Sequence, residues 1–327
     1  MRRVLGVWCA LALGFAAGAQ PRAPVPVLIV DGVNNHDWKR LTLALKEILA
    51  GSGLFRVDVA TSPPREAPAS EWNKWRPEFK RYRAVVMNFN GGHGPDALHW
   101  PRELELAFER YVGTGGGAVI VHAANNSFPA WDAYNAMIGL GWRDRTFGPT
   151  LIVMDGRVVA VSAGEGLNPG HGPPHDFEIT VLDRDHPITR GMPDRWLHPR
   201  EQLSHGQRGP AMNLRVLTYA YSRDSRQNEV MDWVTQFGKG RVYTTMLGHT
   251  WRNHPAPNLE SVGFQTMLIR GTEWAATGRV TIPHDPAPPA QPRLLVVTGG
   301  HSYDTTFYSL FEGMPWDHAT SNEQAFR

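Results

Sequence analysis

The sequence predicts an α/β protein with a flavodoxin-like, doubly wound and mainly parallel sheet. Short apolar runs rich in β-branched residues alternate with segments whose apolar residues recur at helical spacing, as βαβ units require. One such segment, Gly115–His122, begins with three glycines, continues as an apolar run and ends at an imidazole. Because it is apolar and too short for a helix, it predicts a buried parallel strand. A loop-rich segment at about residues 141–204 predicts an insertion into this fold.

The other elements follow from the same two patterns. Strands are predicted at residues 25–30, 55–59, 82–89, 151–154, 177–182 and 241–247, and further regular elements at residues 214–221 and 229–236. Helices are predicted from the apolar faces of residues 41–49, 104–112, 130–138 and 264–275. Gly51 and Gly278 follow two of these helices, and glycine commonly ends a helix because it adopts a left-handed conformation.

The N-terminus has the pattern of a signal peptide over residues 1–19. Arg2 and Arg3 precede the apolar run Val4–Ala17, and Ala17–Ala19 supplies small residues for cleavage. This run is too short to be favoured as a membrane span, so we expect a periplasmic or secreted protein without a membrane anchor. Cys9, the single cysteine, lies in this segment. The exported chain would then have no disulfide and no thiol nucleophile.

The charge balance indicates a neutral or weakly charged partner. The chain has 33 Lys and Arg against 31 Asp and Glu, and two of the arginines belong to the predicted signal peptide. The sequence has neither the basic stripe that would predict a nucleic-acid partner nor the basic amphipathic helix that would predict binding to a membrane surface. The composition does not define an oligomeric state.

The main domain is predicted at residues 25–278, and a Pro-rich linker follows at residues 279–293. The pattern Val27–Gly32, with Asp37 five positions after the glycine, then recurs as Leu294–Gly299 with Asp304. We interpret residues 294–327 as the start of a second, truncated domain of the same kind. The alternative is that this piece adds to the edge of the first domain's sheet.

Polar side chains cluster where the predicted strands end, which is where open parallel sheets bind ligands. His122 and His249 each follow such a strand, and we predict that they act as a catalytic acid–base pair. Candidate substrate-binding residues near these ends are His36, Asp37, Asn90, Asn125, His171, His175 and Trp251. For Asp37 the alternative is capping of the following helix.

A metal site is the alternative use of the same side chains. His122, His249, His171, His175 and Asp37 could supply nitrogen and oxygen ligands. The sequence has no closely spaced HxH or HExxH motif, so it predicts no metal and no other cofactor. A further histidine, His186, lies in Asp185–Gly191, where Pro187 favours a turn with a structural role.

Tryptophans near the strand ends indicate a small carbohydrate as the partner. Indole rings pack against the C–H faces of sugars, while amides and imidazoles bond their hydroxyl groups. The candidates are Trp38, Trp100, Trp131, Trp142 and Trp251. The alternative for each of them is packing in the core.

Four segments together resemble the ThuA-like (trehalose utilisation) family. They are Asn35–Trp38, Gly115–Ala124, Asp185–Gly191, and Phe237–His249 with Glu273–Ala275. The resemblance covers about residues 25–278. It implies a class I glutamine amidotransferase-like fold and a role in carbohydrate utilisation, on a trehalose-like glycoside or a keto-sugar.

The resemblance also places His122 near the elbow at which amidotransferases of this fold carry a cysteine. A thiol amidotransferase is excluded by the absence of that cysteine. Members often show Asp-Glu-Leu-Tyr before an Arg-Gly-Pro-Ala stretch, whereas this chain has Glu201–Ser204. The second acid of the pattern is therefore missing, and Glu201 is the residue that could substitute for it.

These observations leave two functions open. The first is a sugar-processing lyase, isomerase or hydrolase that uses His122 and His249 in proton transfer. The paired carboxylates of retaining or inverting glycosidases are not evident, and elimination or isomerisation beside a carbonyl needs only an acid and a base. The second is a non-catalytic carbohydrate-binding or scaffolding domain.

Overall fold

A sheet of eleven strands organises the part of the chain described by the computed structural model, which comprises residues 23–283, 294–299, 307 and 316–321. The strands of this sheet and of a short separate ladder are β1 (Val25–Asp31), β2 (Phe55–Thr61), β3 (Ala84–Met87), β4 (Gly117–Val121), β5 (Thr150–Met154), β6 (Arg157–Val161), β7 (Gly170–His171), β8 (His175–Val181), β9 (Arg195–Glu201), β10 (Ser204–His205), β11 (Arg215–Ser222), β12 (Gln227–Phe237) and β13 (Gly240–Thr245). β7 and β10 form the separate ladder.

The sheet has a parallel half and an antiparallel half. The order β2-β1-β3-β4-β13 is parallel throughout, and β12, β11, β8 and β9 continue it in antiparallel pairs. β5 pairs with β12, and β6 pairs with β5. The carboxyl ends of the five parallel strands consequently share one edge of the sheet.

Helices cover both faces of the parallel half. They are α1 (Trp38–Gly51), α2 (Ala69–Trp72), α3 (Arg102–Gly113), α4 (Asp132–Ile138) and α5 (Val262–Thr277). α1 and α5 pack in one apolar cluster with Val119 and Val121 of β4, whereas α3 and α4 pack in the other with Ala118 and Ile120. Successive strand residues point to opposite faces, so the all-apolar sequence of β4 follows from burial on both sides. The predicted α/β fold class is confirmed.

The loop-rich insertion is more regular than its sequence indicates. Residues 141–204 contain long loops, but they also contribute β5, β6, β8 and β9 to the main sheet. Two of these strands coincide with the predicted ones at residues 151–154 and 177–182. β6 is exposed along almost its whole length, and β9 carries charged residues and a proline. β9 therefore lacks the apolar pattern by which strands are predicted, whereas β6, with three valines and an alanine, has that pattern and was missed by the prediction.

The C-terminal piece forms a short parallel ladder. β14 (Leu294–Val297) pairs with β15 (Trp316–Ala319), and within the described residues this pair is a sheet of its own. The interpretation as a second domain stays a prediction. The predicted signal peptide and Asp304 lie outside the described residues, as does the linker from residue 284 onward. None of the helices among the described residues has the length and apolar character needed to cross a membrane.

Candidate functional site

His122 lies at a sharp turn between β4 and a short 3-10 helix, His122–Asn126. Its φ is +46°, a backbone conformation that residues other than glycine rarely adopt and that is often found at functional sites. The side chain is buried, and its Nδ1 lies 2.7 Å from the carbonyl oxygen of Met246. A carbonyl only accepts, so Nδ1 carries the proton and the lone pair of Nε2 is free.

His36 and His249 meet His122 at the carboxyl edge of the sheet. His36 follows β1, and His249 follows β13 after the turn at Gly248. The ring centroids lie 4.9 Å apart for His36 and His122, 5.1 Å for His36 and His249, and 5.4 Å for His122 and His249. One ring nitrogen from each imidazole lies within 4.8 Å of the other two. We call these three residues the histidine cluster.

All three imidazoles of the histidine cluster are driven toward the neutral form. Burial, together with the neighbouring imidazoles, lowers the pKa of His36 to about 2. Burial and His122 lower the pKa of His249 to about 4, and burial also lowers the pKa of His122. Neutral imidazole is the form that binds transition metals, and it is not a proton donor of the strength that a general acid needs at neutral pH.

A buried carboxylate fixes the backbone beneath the cluster. Glu201, fully buried at the end of β9, accepts hydrogen bonds from the backbone N–H groups of Gly248 (2.7 Å) and His249 and from the side chain of Asn258 (2.9 Å). Burial by itself would raise the pKa of Glu201. The hydrogen bond with His198, the nearby imidazole of His122 and the backbone N–H of Gly248 together have the larger effect and lower this pKa to about 2. The cluster therefore has a permanent negative charge behind it.

The histidine cluster forms one wall of a cavity of about 570 Å³, which we call the first cavity. Two indole rings line it, and Trp251 lies parallel to the ring of His249 at a centroid distance of 6.3 Å. The remaining lining is rich in amides and imidazoles. Its residues are Asn35, His36, His93, His122, Ala123, Asn125, Asn126, Trp142, His171, Pro174, Arg200, Gln202, Ser204, Met246, His249, Trp251, His254, Pro255 and Asn258.

Six of the nine residues proposed from the sequence meet at this cavity. They are His36, His122, Asn125, His171, His249 and Trp251. Asn125 is fully buried, and its Nδ2 lies 3.3 Å from Gln207 Oε1, while His171 and Trp251 are exposed at the cavity rim. Their functional roles remain predictions, but their convergence is a property of the fold.

The other three residues lie elsewhere. The carboxylate of Asp37 accepts from the backbone N–H of Arg40 at the start of α1, which is the capping arrangement considered as its alternative. Asn90 donates to Asn35 (2.7 Å) and lines a neighbouring cavity. His175 packs its ring beside Phe177 and does not line the first cavity.

Several lining residues have no sequence signal of their own. Arg200 lies near the end of β9, whose pattern did not predict a strand, and Gln202 directly follows that strand. His254 lies in an exposed loop and also lines the cavity. Of the tryptophans, Trp142 and Trp251 line the cavity, whereas Trp100 and Trp131 are buried in the core.

Fold and site together define a class of protein: a flavodoxin-like α/β domain that gathers three neutral imidazoles at the carboxyl edge of its parallel strands. A family model described as ThuA, trehalose utilisation, matches residues 26–275. The chain belongs to this family, as its motifs implied.

Solved structures agree with this assignment. A ThuA-like protein from Parabacteroides merdae is 36% identical with a TM-score of 0.73, over 79% of this chain and 92% of that chain. A ThuA-like protein from Bacteroides uniformis is 17% identical with a TM-score of 0.53, over 82% of this chain and 97% of that chain, and shows the fold alone. A comparison with curated proteins finds no match.

Proposed function

We propose that this protein processes a carbohydrate at a divalent metal ion held by His36, His122 and His249. The observation that carries the proposal is the convergence of one ring nitrogen from each imidazole to within 4.8 Å of the others. Three histidine ligands with an open fourth position are typical of catalytic zinc sites. The family's trehalose-utilisation description supports a sugar as the substrate.

The surroundings of the imidazoles favour metal binding over the acid–base pair predicted from the sequence. A metal ligand needs a neutral imidazole, and the pKa values of all three are lowered. Metal-binding histidines commonly donate their second ring nitrogen to a carbonyl or carboxylate, which holds the ring in place. His122 makes this bond to Met246, and Nδ1 of His36 lies 3.2 Å from Asn34 Oδ1.

The chemistry of a keto-sugar fits this arrangement. A bound cation would polarise the carbonyl oxygen of a keto-sugar and so acidify the adjacent C–H bond, which elimination and isomerisation beside a carbonyl both require. Trp142 and Trp251 offer faces for a sugar ring, and Asn35 and Asn125 offer amides for its hydroxyl groups. We therefore propose a trehalose-like glycoside or its keto form as the substrate. The pattern of residues 1–19 supports export as part of the same proposal.

Metal content tests the proposal directly. Purified wild type, His122→Ala and the control His99→Ala are incubated with Zn²⁺, Co²⁺ or Mn²⁺, desalted and analysed by mass spectrometry for bound metal. Wild type and the control, which changes a histidine outside the first cavity, are expected to retain about one ion per chain. His122→Ala is expected to retain at least about ten-fold less, because one of three ligands is lost.

Activity is tested on the same samples with trehalose, simple glucosides and their 3-keto forms. Turnover is expected to stop with a chelator and to return with the metal. A wild-type protein that retains no metal contradicts the proposal. Bound metal and bound sugar without turnover of any of these sugars would instead support the carbohydrate-binding alternative.

A further inference from the structure

We propose that a second cavity beside the histidine cluster is the subsite for the second sugar ring of a disaccharide, whose reacting ring occupies the first cavity. This inference rests on the proposed function and names which part of the substrate each cavity takes. The second cavity has a volume of about 590 Å³ and lies between the loops that follow β1, β2 and β3. Its lining residues are Gly32, Val33, Asn34, Asn35, Pro64, Arg65, Glu66, Asn90, Gly91, Gly92, His93, Gly94 and Asp96.

The two cavities adjoin each other. Asn35 and His93 line both, so a ligand in one cavity can reach the other past these two side chains. Asn90 donates to Asn35 across a distance of 2.7 Å and so fixes the amide that stands between them. Both cavities lie at the carboxyl edge of the parallel strands, where this kind of sheet binds its ligands. Each has a volume within the ordinary range for small-molecule sites, roughly 300–1,000 Å³.

The lining of the second cavity fits hydroxyl groups. Its side chains include three amides, one guanidinium and two carboxylates, which offer donors and acceptors in close alternation. The carboxylates of Glu66 and Asp96 would repel a phosphate or another anion. The second cavity has no indole or phenyl ring in its lining, whereas the first has two indoles. A neutral sugar ring matches this chemistry better than an apolar aglycone does.

The second cavity is held open by its backbone. Gly92 has a φ of +94°, and a Cβ at Gly91 would collide with the carbonyl oxygen of Leu98, so side chains are disfavoured at both positions. Arg65 donates to the carbonyl oxygens of Gly91 and Asp96, which fixes its guanidinium at the cavity. Part of the site is therefore formed before a ligand arrives.

The test compares the binding of two sugars by titration calorimetry. Trehalose can fill both cavities, whereas methyl α-glucoside can fill only one. We expect metal-loaded wild type to bind trehalose at least about ten-fold more tightly. Arg65→Ala and Glu66→Ala are each expected to remove most of this advantage and to leave the Kd for methyl α-glucoside within about two-fold. Arg157→Ala, an exposed arginine on β6 outside both cavities, is the matched control.

Two variants are used because Arg65 also bonds the loop that carries Gly91, whereas Glu66 tests the cavity without that bond. Equal affinity for the two sugars, no binding of either sugar, or variants that bind trehalose like wild type would each overturn the second subsite. The readout is separate from catalysis. If Arg65→Ala and Glu66→Ala lose affinity for trehalose but wild type turns over no sugar, the subsite is supported and the enzyme proposal is contradicted. If wild type turns over sugar but both variants bind trehalose normally, the enzyme proposal is supported and the subsite is contradicted.

Discussion

Glu201 connects the antiparallel half of the sheet to the histidine cluster. Its carboxylate accepts from the backbone of Gly248 and His249 and from Asn258, and it is ionised because its pKa is lowered to about 2. Three neutral imidazoles bring no charge to a divalent cation. The buried carboxylate of Glu201 holds the backbone of His249 in place, and under the proposed function it would supply part of the balancing charge, as supporting residues do in metal sites.

Replacing Glu201 by glutamine is expected to weaken metal binding by about 10- to 100-fold, because both the charge and part of the hydrogen bonding are lost. Zn²⁺ titrations measure the effect, and circular dichroism confirms folding. Glu229→Gln is the control, since Glu229 is also buried but accepts from the backbone N–H of Gly206 rather than from the backbone at the histidine cluster. Equal losses in both variants would show that Glu201 has no particular role at the cluster.

The meeting of His122 and His249 could be predicted from the sequence because a rule of topology applies to them. His122 and His249 both end strands of a parallel sheet, so their meeting at one edge follows from the strand pattern. The contacts that support these histidines from behind do not follow from any such rule. Glu201 contacts a backbone far from it in sequence, and Asn258 reaches it from a 3-10 helix that no periodicity marks.

The turn after β13 determines where His249 points. Gly248 has a φ of +110°, which is unfavourable for any residue with a Cβ, and an added Cβ would lie 3.0 Å from Val121 and 3.8 Å from His122. The carboxyl ends of β4 and β13 can thus approach closely only with glycine here. The turn brings two members of the histidine cluster together.

Gly248→Ala is expected to lower the free energy of unfolding by roughly 1–3 kcal/mol and to weaken metal binding, because backbone strain and the contact with β4 displace His249. The matched control is Gly156→Ala in the β5–β6 turn, where φ is +71° and the added Cβ meets open space. The control substitution is expected to lower the free energy of unfolding by about 1 kcal/mol and to leave the metal affinity unchanged. Urea unfolding and Zn²⁺ titration measure both quantities. Identical metal affinity in the two variants would contradict this role of the turn.

At the level of elements, apolar periodicity located the parallel half and missed part of the antiparallel half. Strands β1 to β4 and helices α1 and α3 to α5 have apolar residues at the spacing of their secondary structure, since the core covers them. β6 and β9 are held in the sheet by backbone pairing, while most of their side chains remain partly exposed. Backbone hydrogen bonds leave no mark on the order of residue types, so β9, with its charged residues and proline, could not be predicted from the sequence.

The stability of the whole molecule depends on keeping buried histidines neutral. His186, outside the histidine cluster, packs against Trp274 of α5 at a centroid distance of 5.0 Å and accepts from the backbone N–H of Ile188 through Nδ1. Burial and the charge of Arg215 lower its pKa to about 4, despite the opposing effect of Asp183. The turn predicted at Asp185–Gly191 is thus joined to the core by a neutral imidazole.

Acidification is therefore expected to destabilise the fold. With a folded-state pKa of about 4 against an ordinary value of 6.5, the unfolded chain takes up a proton that the folded chain does not. Between pH 6.5 and 5 this linkage removes about 1.5 kcal/mol of stability for one such histidine. Urea unfolding at both pH values is compared for wild type and His186→Asn, whose amide oxygen can accept the same bond without titrating. Between pH 6.5 and 5, the free energy of unfolding of His186→Asn is expected to fall by about 1.5 kcal/mol less than that of wild type. An equal fall in both proteins would contradict the role of His186.

The histidine cluster also has a mechanical consequence. With one cysteine in its sequence, this chain cannot form an intramolecular disulfide. His36, His122 and His249 follow three different parallel strands, β1, β4 and β13. An ion bound by all three would act as a removable cross-link between distant parts of the chain, and it would stabilise the fold in proportion to the logarithm of the free metal concentration. Loss of the ion at low free metal concentration would then lower the stability of the sheet at the edge where the three imidazoles meet.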